Sequence, residues 1–240
     1  MLVMTKTPRR SSKARSGKWT RRKSGRVARL HPATRVRSPS QVSAKAERRE
    51  AILSAALAEF SERGFTAARL EDVAQRAGIA KGTIYLYFRD KEALFQDLIR
   101  TRLVPLVGTI EQLRDVDIPF RSLAERLIDM FVREIFETPR KDVIRLMIAE
   151  GSRFPKLADF YYREVLSRLM DVMSALLRRA YARGEIASDA SAKYPQLLAA
   201  PAVVAIVWNS LFQRQAPLDI RAMMQAHLDF ILQSAPGKKS

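Results

Sequence analysis

Residues 69–88 read RLEDVAQRAGIAKGTIYLYF, and the fold of the first half of the chain follows from their spacing. Leu70, Val73, Ala74 and Ala77 recur at helical intervals with Gly78 just behind them. A short helix with one apolar face therefore ends at a residue that tolerates the left-handed backbone. After Ile79 and Ala80 the spacing predicts a second helix over 81–88, with Ile84 and Phe88 turned inward and Lys81, Thr83, Tyr85 and Tyr87 turned outward. Two short helices meeting at a Gly-containing turn, the second with a donor-rich outer face, have the layout of a helix-turn-helix. In that layout Lys81 and Thr83 would meet base edges or phosphates in a major groove, while Tyr87 and Lys91 hold the backbone on either side. The same spacing also suits a helical hairpin inside a bundle, with the two tyrosines half-buried.

Upstream, Ile52, Leu53, Ala56, Leu57 and Phe60 form one stripe of a supporting helix expected over 43–63, which Gly64 ends. Residues 44–92 carry nine basic and eight acidic side chains. DNA binding by this nearly neutral unit must rest on the placement of a few charges, or on what precedes it. Residues 1–43 hold thirteen Lys or Arg and no acid, which leaves only +5 of the formal +18 for the rest of the chain. With Ser, Thr, Pro and Gly between the charges, this segment cannot bury enough apolar surface to offset the entropy of ordering and is expected to be a disordered basic arm. It reads either as an inert tail or as a tail that tracks DNA, steepening the salt dependence by about 0.9 log units per neutralised phosphate. No apolar core follows Arg21-Arg22, as a targeting peptide would require.

Downstream the pattern is helix after helix, without strand-like alternation. Asp90 is a side-chain cap for a helix carrying Leu94, Leu98 and Leu103 toward Pro105. Phe120, Leu123, Leu127, Phe131 and Ile135 mark the next, which stops before Pro139; a short helix covers 142–150 and one long helix 155–183. Over 194–212, Leu197, Pro201, Val204, Trp208 and Leu211 keep a 4-3 rhythm, and from Pro217 onward so do Ile220, Met224, His227 and Ile231. That rhythm suits a bundle seam, within the chain or between two copies. His227 on the stripe reads as a core or interface histidine. The expected class is all-α: a three-helix DNA-reading unit over 44–92 and a larger helical bundle over 93–240.

The chain has no cysteine, its two histidines, His31 and His227, are far apart, and no apolar run approaches the ~18 residues that span a bilayer. A soluble protein of the cytoplasm, working at the nucleoid without membrane, metal or cofactor, is expected. The absence of a Gly-rich phosphate loop, of Gly-x-Ser-x-Gly and of paired histidines argues against an enzyme.

Residues 46–99, from AERREAILSAALAEF through KGTIYLYF to KEALFQDLI, resemble the DNA-binding domain of the TetR/AcrR family of bacterial one-component transcriptional regulators. The resemblance implies that Lys81, Gly82, Thr83, Tyr85 and Tyr87 form the DNA-facing surface and that Lys91 holds a phosphate. Two departures stand out. Where the family usually has Ser or Thr before the second helix this chain has Ala68-Arg69, and the serine common before Lys-Gly-Thr is Ala80. Each helix start loses a cap worth about 1 kcal/mol, and Arg69 would replace a neutral phosphate contact with a charged one.

For the body, the resemblance implies an inducer cavity among helices bearing Phe120, Phe131, Met147, Tyr161, Tyr162, Met170, Met173, Trp208 and Phe212. It also implies a homodimer formed by the helices at 194–212 and from 217 onward. Residues 150–165 (EGSRFPKLADFYYREV) look more loosely like the AefR-like type of C-terminal domain. The function implied is a homodimeric repressor released from a pseudo-palindromic, double-stranded DNA operator by a small hydrophobic or aromatic effector. The alternative is a nonspecific nucleoid-type binder led by the basic arm.

Overall fold

The structure, a computed structural model, describes residues 39–187 and 190–233, without the side chains of 39–42, 191–192 and 233. The arm expected over 1–43 lies outside the described residues up to residue 38, and from Pro39 the chain is already helical. Helix α1 (Pro39–Ala67) buries Ile52, Leu53, Ala56 and Phe60 on the stripe that its periodicity sets out. At Gly64 the backbone leaves the helix with φ 76° and ψ 158°, a conformation in practice open to glycine alone. A Cβ there would also come within 3.2 Å of Glu150 Oε1. The break turns Phe65 back into the interior, where its ring meets Phe60, Phe95 and Phe154 edge-on at 5.2, 5.4 and 4.7 Å between centroids.

Helix α2 (Leu70–Arg76) ends as its sequence requires. Gly78 has φ 66°, and Ile79 N–H reaches back to Ala74 O at 3.0 Å while Gly78 N–H reaches Gln75 O at 3.1 Å, which satisfies the last carbonyls. Helix α3 (Lys81–Ile84) is shorter than the expected 81–88. Beyond Ile84 the chain tightens into turns in which Leu86 N–H bonds Thr83 O and Tyr87 N–H bonds Ile84 O. Thr83, Ile84 and Tyr85 each lose rotamer freedom in a helix, so burial of Ile84 and Phe88, rather than propensity, fixes the path. Neither Arg69 nor Ala80 caps the helix it precedes, whereas Asp90 Oδ1 accepts from Ala93 N–H at 2.7 Å and starts α4 (Lys91–Arg102). Ion pairs Arg49–Asp97 and Arg102–Glu50 strap α4 to α1.

Helix α5 (Val104–Glu111) is a departure from the expected pattern. Pro105 does not mark an end but sits in the first turn of a new helix, where its missing N–H costs nothing. Helix α6 (Phe120–Met130) runs into a π-helical turn, Phe131–Phe136; there Glu137 N–H bonds Val132 O, five residues back, at 2.9 Å. After α7 (Arg140–Glu150) and a 3-10 turn come α8 (Pro155–Tyr161), a second π-helical turn, Tyr162–Leu166, and α9 (Ser167–Ala182). The long helix expected over 155–183 is thus continuous but widened in its first half. Helices α10 (Ala190–Lys193), α11 (Gln196–Phe212) and α12 (Ile220–Gln233) complete the described chain, in which no strand occurs.

Two main cores form. The first joins α1 to α4 with Val143, Leu146 and Met147 of α7, Leu157 and Phe160 of α8, and Val165. It crosses residue 92 without a break. The second draws on α6, α9, α11 and α12. Here the expected seam divides. Ile220, Met224 and Ile231 of α12 are buried in the protomer's own core, while Leu197, Val204, Trp208 and Leu211 of α11 are exposed. The α12 stripe is therefore not a free face for a second copy, because α6 already covers part of it.

Candidate functional site

The outer face of α2 and α3 brings Lys81 and Tyr85 onto one carboxylate oxygen. Lys81 Nζ lies 3.2 Å from Glu71 Oε1 and the Tyr85 hydroxyl donates to the same atom at 2.9 Å. The Glu71 backbone N–H, the Tyr85 hydroxyl and Lys81 together hold the Glu71 carboxyl below its ordinary range, and the same carboxylate pushes the Tyr85 phenol up. Gly82 is exposed and open, Arg69 is exposed with no ion pair among the described residues, and Thr83 is partly covered. Tyr87 is half-buried against the first core. Leu86, not anticipated from the sequence, is 83% exposed between the two tyrosines.

Lys91 is a correction. Its ammonium turns inward, donating to the carbonyls of Phe65 and Thr66 at 2.8 and 2.7 Å and more distantly to Ala68, and it lies 4.9 Å above the Phe65 ring. Burial lowers its pKa, against the pull of Glu150 and Glu92. As placed, Lys91 closes the orphan carbonyls at the end of α1.

Within the body, residues of α5 to α9, α11 and α12, with Leu103 just beyond α4, line a pocket of about 200 Å³. Of the nine residues expected there, Phe131, Tyr161, Met170 and Met173 line it. The other five do not. Phe120 and Met147 are packed into the second and first cores, and Tyr162, Trp208 and Phe212 are on the surface. Tyr162 follows Tyr161 by one residue and so points about 100° away round the helix. Trp208 donates from Nε1 to Ala216 O at 2.8 Å and stacks edge-on with Phe212 at 5.1 Å, outside the pocket.

Most of the lining is Leu, Ile, Val and Ala, residue types that give no sequence signal of a cavity, and His227 also faces it. Among the described residues no Asp, Glu, Lys or Arg lines it. Both π-helical turns border it, one through Phe131 and Ile135 and the other through Val165 and Leu166, with Tyr161 immediately before. Such turns widen a helix locally and are frequent at functional sites.

Comparison with known proteins agrees with both halves. Residues 52–98 match the bacterial regulatory proteins of the tetR family, and residues 121–227 match the tetracycline-repressor-like C-terminal domain. The HTH-type transcriptional repressor BepR of Brucella suis is 33% identical over 154 residues, which span 62% of this chain and 73% of that protein. This chain belongs to the TetR family. Solved TetR-type structures share its fold. A SmeT–triclosan complex aligns with a TM-score of 0.66 at 21% identity over 80% of this chain and 93% of the other, and a regulator of Saccharomonospora viridis solved with choline aligns with 0.62 at 20% identity over 78% and 96%.

As a TetR-family protein the chain is a DNA-binding, ligand-responsive transcriptional regulator and not an enzyme. Among the described residues no helix is long and apolar enough to cross a membrane.

Proposed function

We propose that the chain is a repressor that binds a pseudo-palindromic operator as a homodimer and leaves it when a small hydrophobic molecule fills the pocket. Each protomer would present Arg69, Lys81, Gly82, Thr83, Tyr85 and Tyr87, with Leu86 beside them, to one major groove. Two such faces on a two-fold axis would meet half-sites about 34–36 Å apart. The exposed apolar face of α11 is the surface offered to the second copy, with the end of α12 at its margin. BepR, a transcriptional repressor, favours this reading over the arm-led, sequence-indifferent binder.

The observation that carries the coupling is the course of α7. Its Ile144 lines the pocket, and its last residue, Glu150, accepts from Thr66 Oγ1 at 3.3 Å where α1 breaks. Just beyond, Phe154 rests on Phe65. A ligand that moves the pocket end of α7 therefore displaces the joint from which α2 and α3 hang. A coupling of about 1–3 kcal/mol would change operator affinity roughly 5- to 150-fold. Footprinting on the DNA that flanks the protein's own gene tests the reading. Protection of two half-sites is expected without ligand, and loss of protection when an apolar ligand is added; failure to protect any specific sequence under either condition would end it.

A further inference from the structure

The pocket's chemistry narrows the effector further, in a step that rests on the reading of this pocket as the effector site. We infer that the effector is an uncharged molecule, about the size of a substituted single ring, bearing one hydrogen-bond acceptor that receives the Tyr161 hydroxyl.

Three observations converge on that class. With no Asp, Glu, Lys or Arg in the lining, a ligand carrying a full charge would shed its water and find no counter-charge. A pocket of about 200 Å³ is somewhat larger than the roughly 150 Å³ apolar cavities that hold benzene, so a ring with a short substituent fills it. Tyr161 supplies the polar contact. It is partly buried against the first core, lines the pocket, and its hydroxyl makes no hydrogen bond among the described residues. A phenol turned away from bulk water ordinarily finds a partner. Burial pushes this one up to about 12, so it keeps its proton and acts as a donor.

The pocket's other polar side chain has its donor engaged. His227 Nε2 stands 2.8 Å from Leu197 O; since a carbonyl only accepts, Nε2 carries the hydrogen and is spent on the backbone. Tyr161 is thereby left as the pocket's free side-chain donor among the described residues. Tyr161 immediately precedes the π turn that begins at Tyr162, whose Val165 and Leu166 share the lining. The solved relatives of this fold hold triclosan in one case and choline in another, so the lining, and not the fold, selects the ligand.

Calorimetric titration of the full chain with three matched probes tests the inference: propiophenone (neutral, one carbonyl acceptor), propylbenzene (neutral, no acceptor) and phenylacetate (anionic). Propiophenone is expected to bind most tightly and phenylacetate not at all. Tyr161→Phe should weaken propiophenone about 3- to 10-fold, the range of a single hydrogen bond, and leave propylbenzene unchanged. Its melting temperature without ligand should be no lower than that of the parent. Equal binding of propiophenone to both proteins, or equal binding of ketone and hydrocarbon to the parent, overturns the anchoring role while the site stands. Binding of phenylacetate overturns the neutrality. If none of the three binds or displaces operator DNA, the reading of the pocket as the effector site fails with it. The comparison of probes on the parent protein holds even if the variant does not fold.

Discussion

The two working regions of this molecule are built on opposite plans. The proposed DNA-facing surface comes from a single run, Arg69 to Tyr87, and its donors are charged or hydroxylated, in part exposed, and near one another in sequence. The pocket draws on helices from α5 to α12, has no Asp, Glu, Lys or Arg among the described residues that line it, and its lining residues are more than a hundred positions apart at the extremes. A duplex is a rigid, highly charged partner that a few well-placed donors can read from outside. An apolar ligand has to be surrounded, and only distant parts of a chain can surround anything. In the proposed reading, the aromatic joint of Phe60, Phe65, Phe95 and Phe154 couples the two regions.

Breaking that joint should have the largest effect. Phe65 is 1% exposed and packs against rings from α1, α4 and the turn before α8. Phe65→Ala is expected to cost about 3–5 kcal/mol, a large share of the roughly 5–15 kcal/mol that holds a domain folded. Urea denaturation followed by far-UV circular dichroism should show one transition at a lower midpoint, with operator and ligand binding lost together. Two separate transitions would mean that the reading unit and the body fold independently despite their shared core.

Next in size is the face between copies. Leu211 is 60% and Val204 48% exposed on α11, so replacing both with Lys should leave the protomer's own stability within about 0.5 kcal/mol. Across a two-fold axis each new charge occurs twice, and association should weaken by at least roughly 30-fold, as when a central interface residue is lost. Sedimentation velocity would record monomers, and protection of paired half-sites would disappear. A variant that remains dimeric would place the interface elsewhere and remove α11 from the reading face's geometry.

What the sequence disclosed divides along the same line as the two plans. Local rules sufficed for α2, for its Gly78 stop and for Asp90 as a cap, because each depends on neighbours within a few residues. They misplaced the end of α3 and missed α5, where Pro105 serves equally well as a stop or as a first-turn residue. They were weakest for the pocket. Aromatic or Met identity does not tell which way a side chain faces, and a five-residue hydrogen-bond register at 131–136 or 162–166 leaves no compositional mark. Tyr161 and Tyr162, adjacent and chemically alike, fell on opposite sides of the wall. Lys91 shows the converse: its position matched the family pattern, yet the orphan carbonyls at the end of α1 captured its ammonium.

The smallest expected effect tests whether the reading face is poised or held back. Glu71 offers Lys81 and Tyr85 what a DNA phosphate would offer, an anionic oxygen at hydrogen-bond distance from both. If the two side chains exchange that carboxylate for a phosphate on binding, the free protein opposes its own complex. Glu71→Gln keeps an acceptor for the Tyr85 hydroxyl but removes the charge. Operator affinity should then rise about two- to five-fold, the scale of an exposed ion pair. The plot of log K against log salt should steepen by up to ~0.9, one phosphate's worth of released counterion. The parent should approach the variant in acid. Because the Glu71 carboxyl sits below its ordinary range, the parent keeps the contact at neutral pH and loses it only as pH falls through that lowered value. Fluorescence anisotropy on a labelled operator, repeated across salt and pH, measures all three. A fall in affinity for the Gln variant would give Glu71 the opposite role, that of holding Lys81 and Tyr85 ready in the geometry the duplex requires.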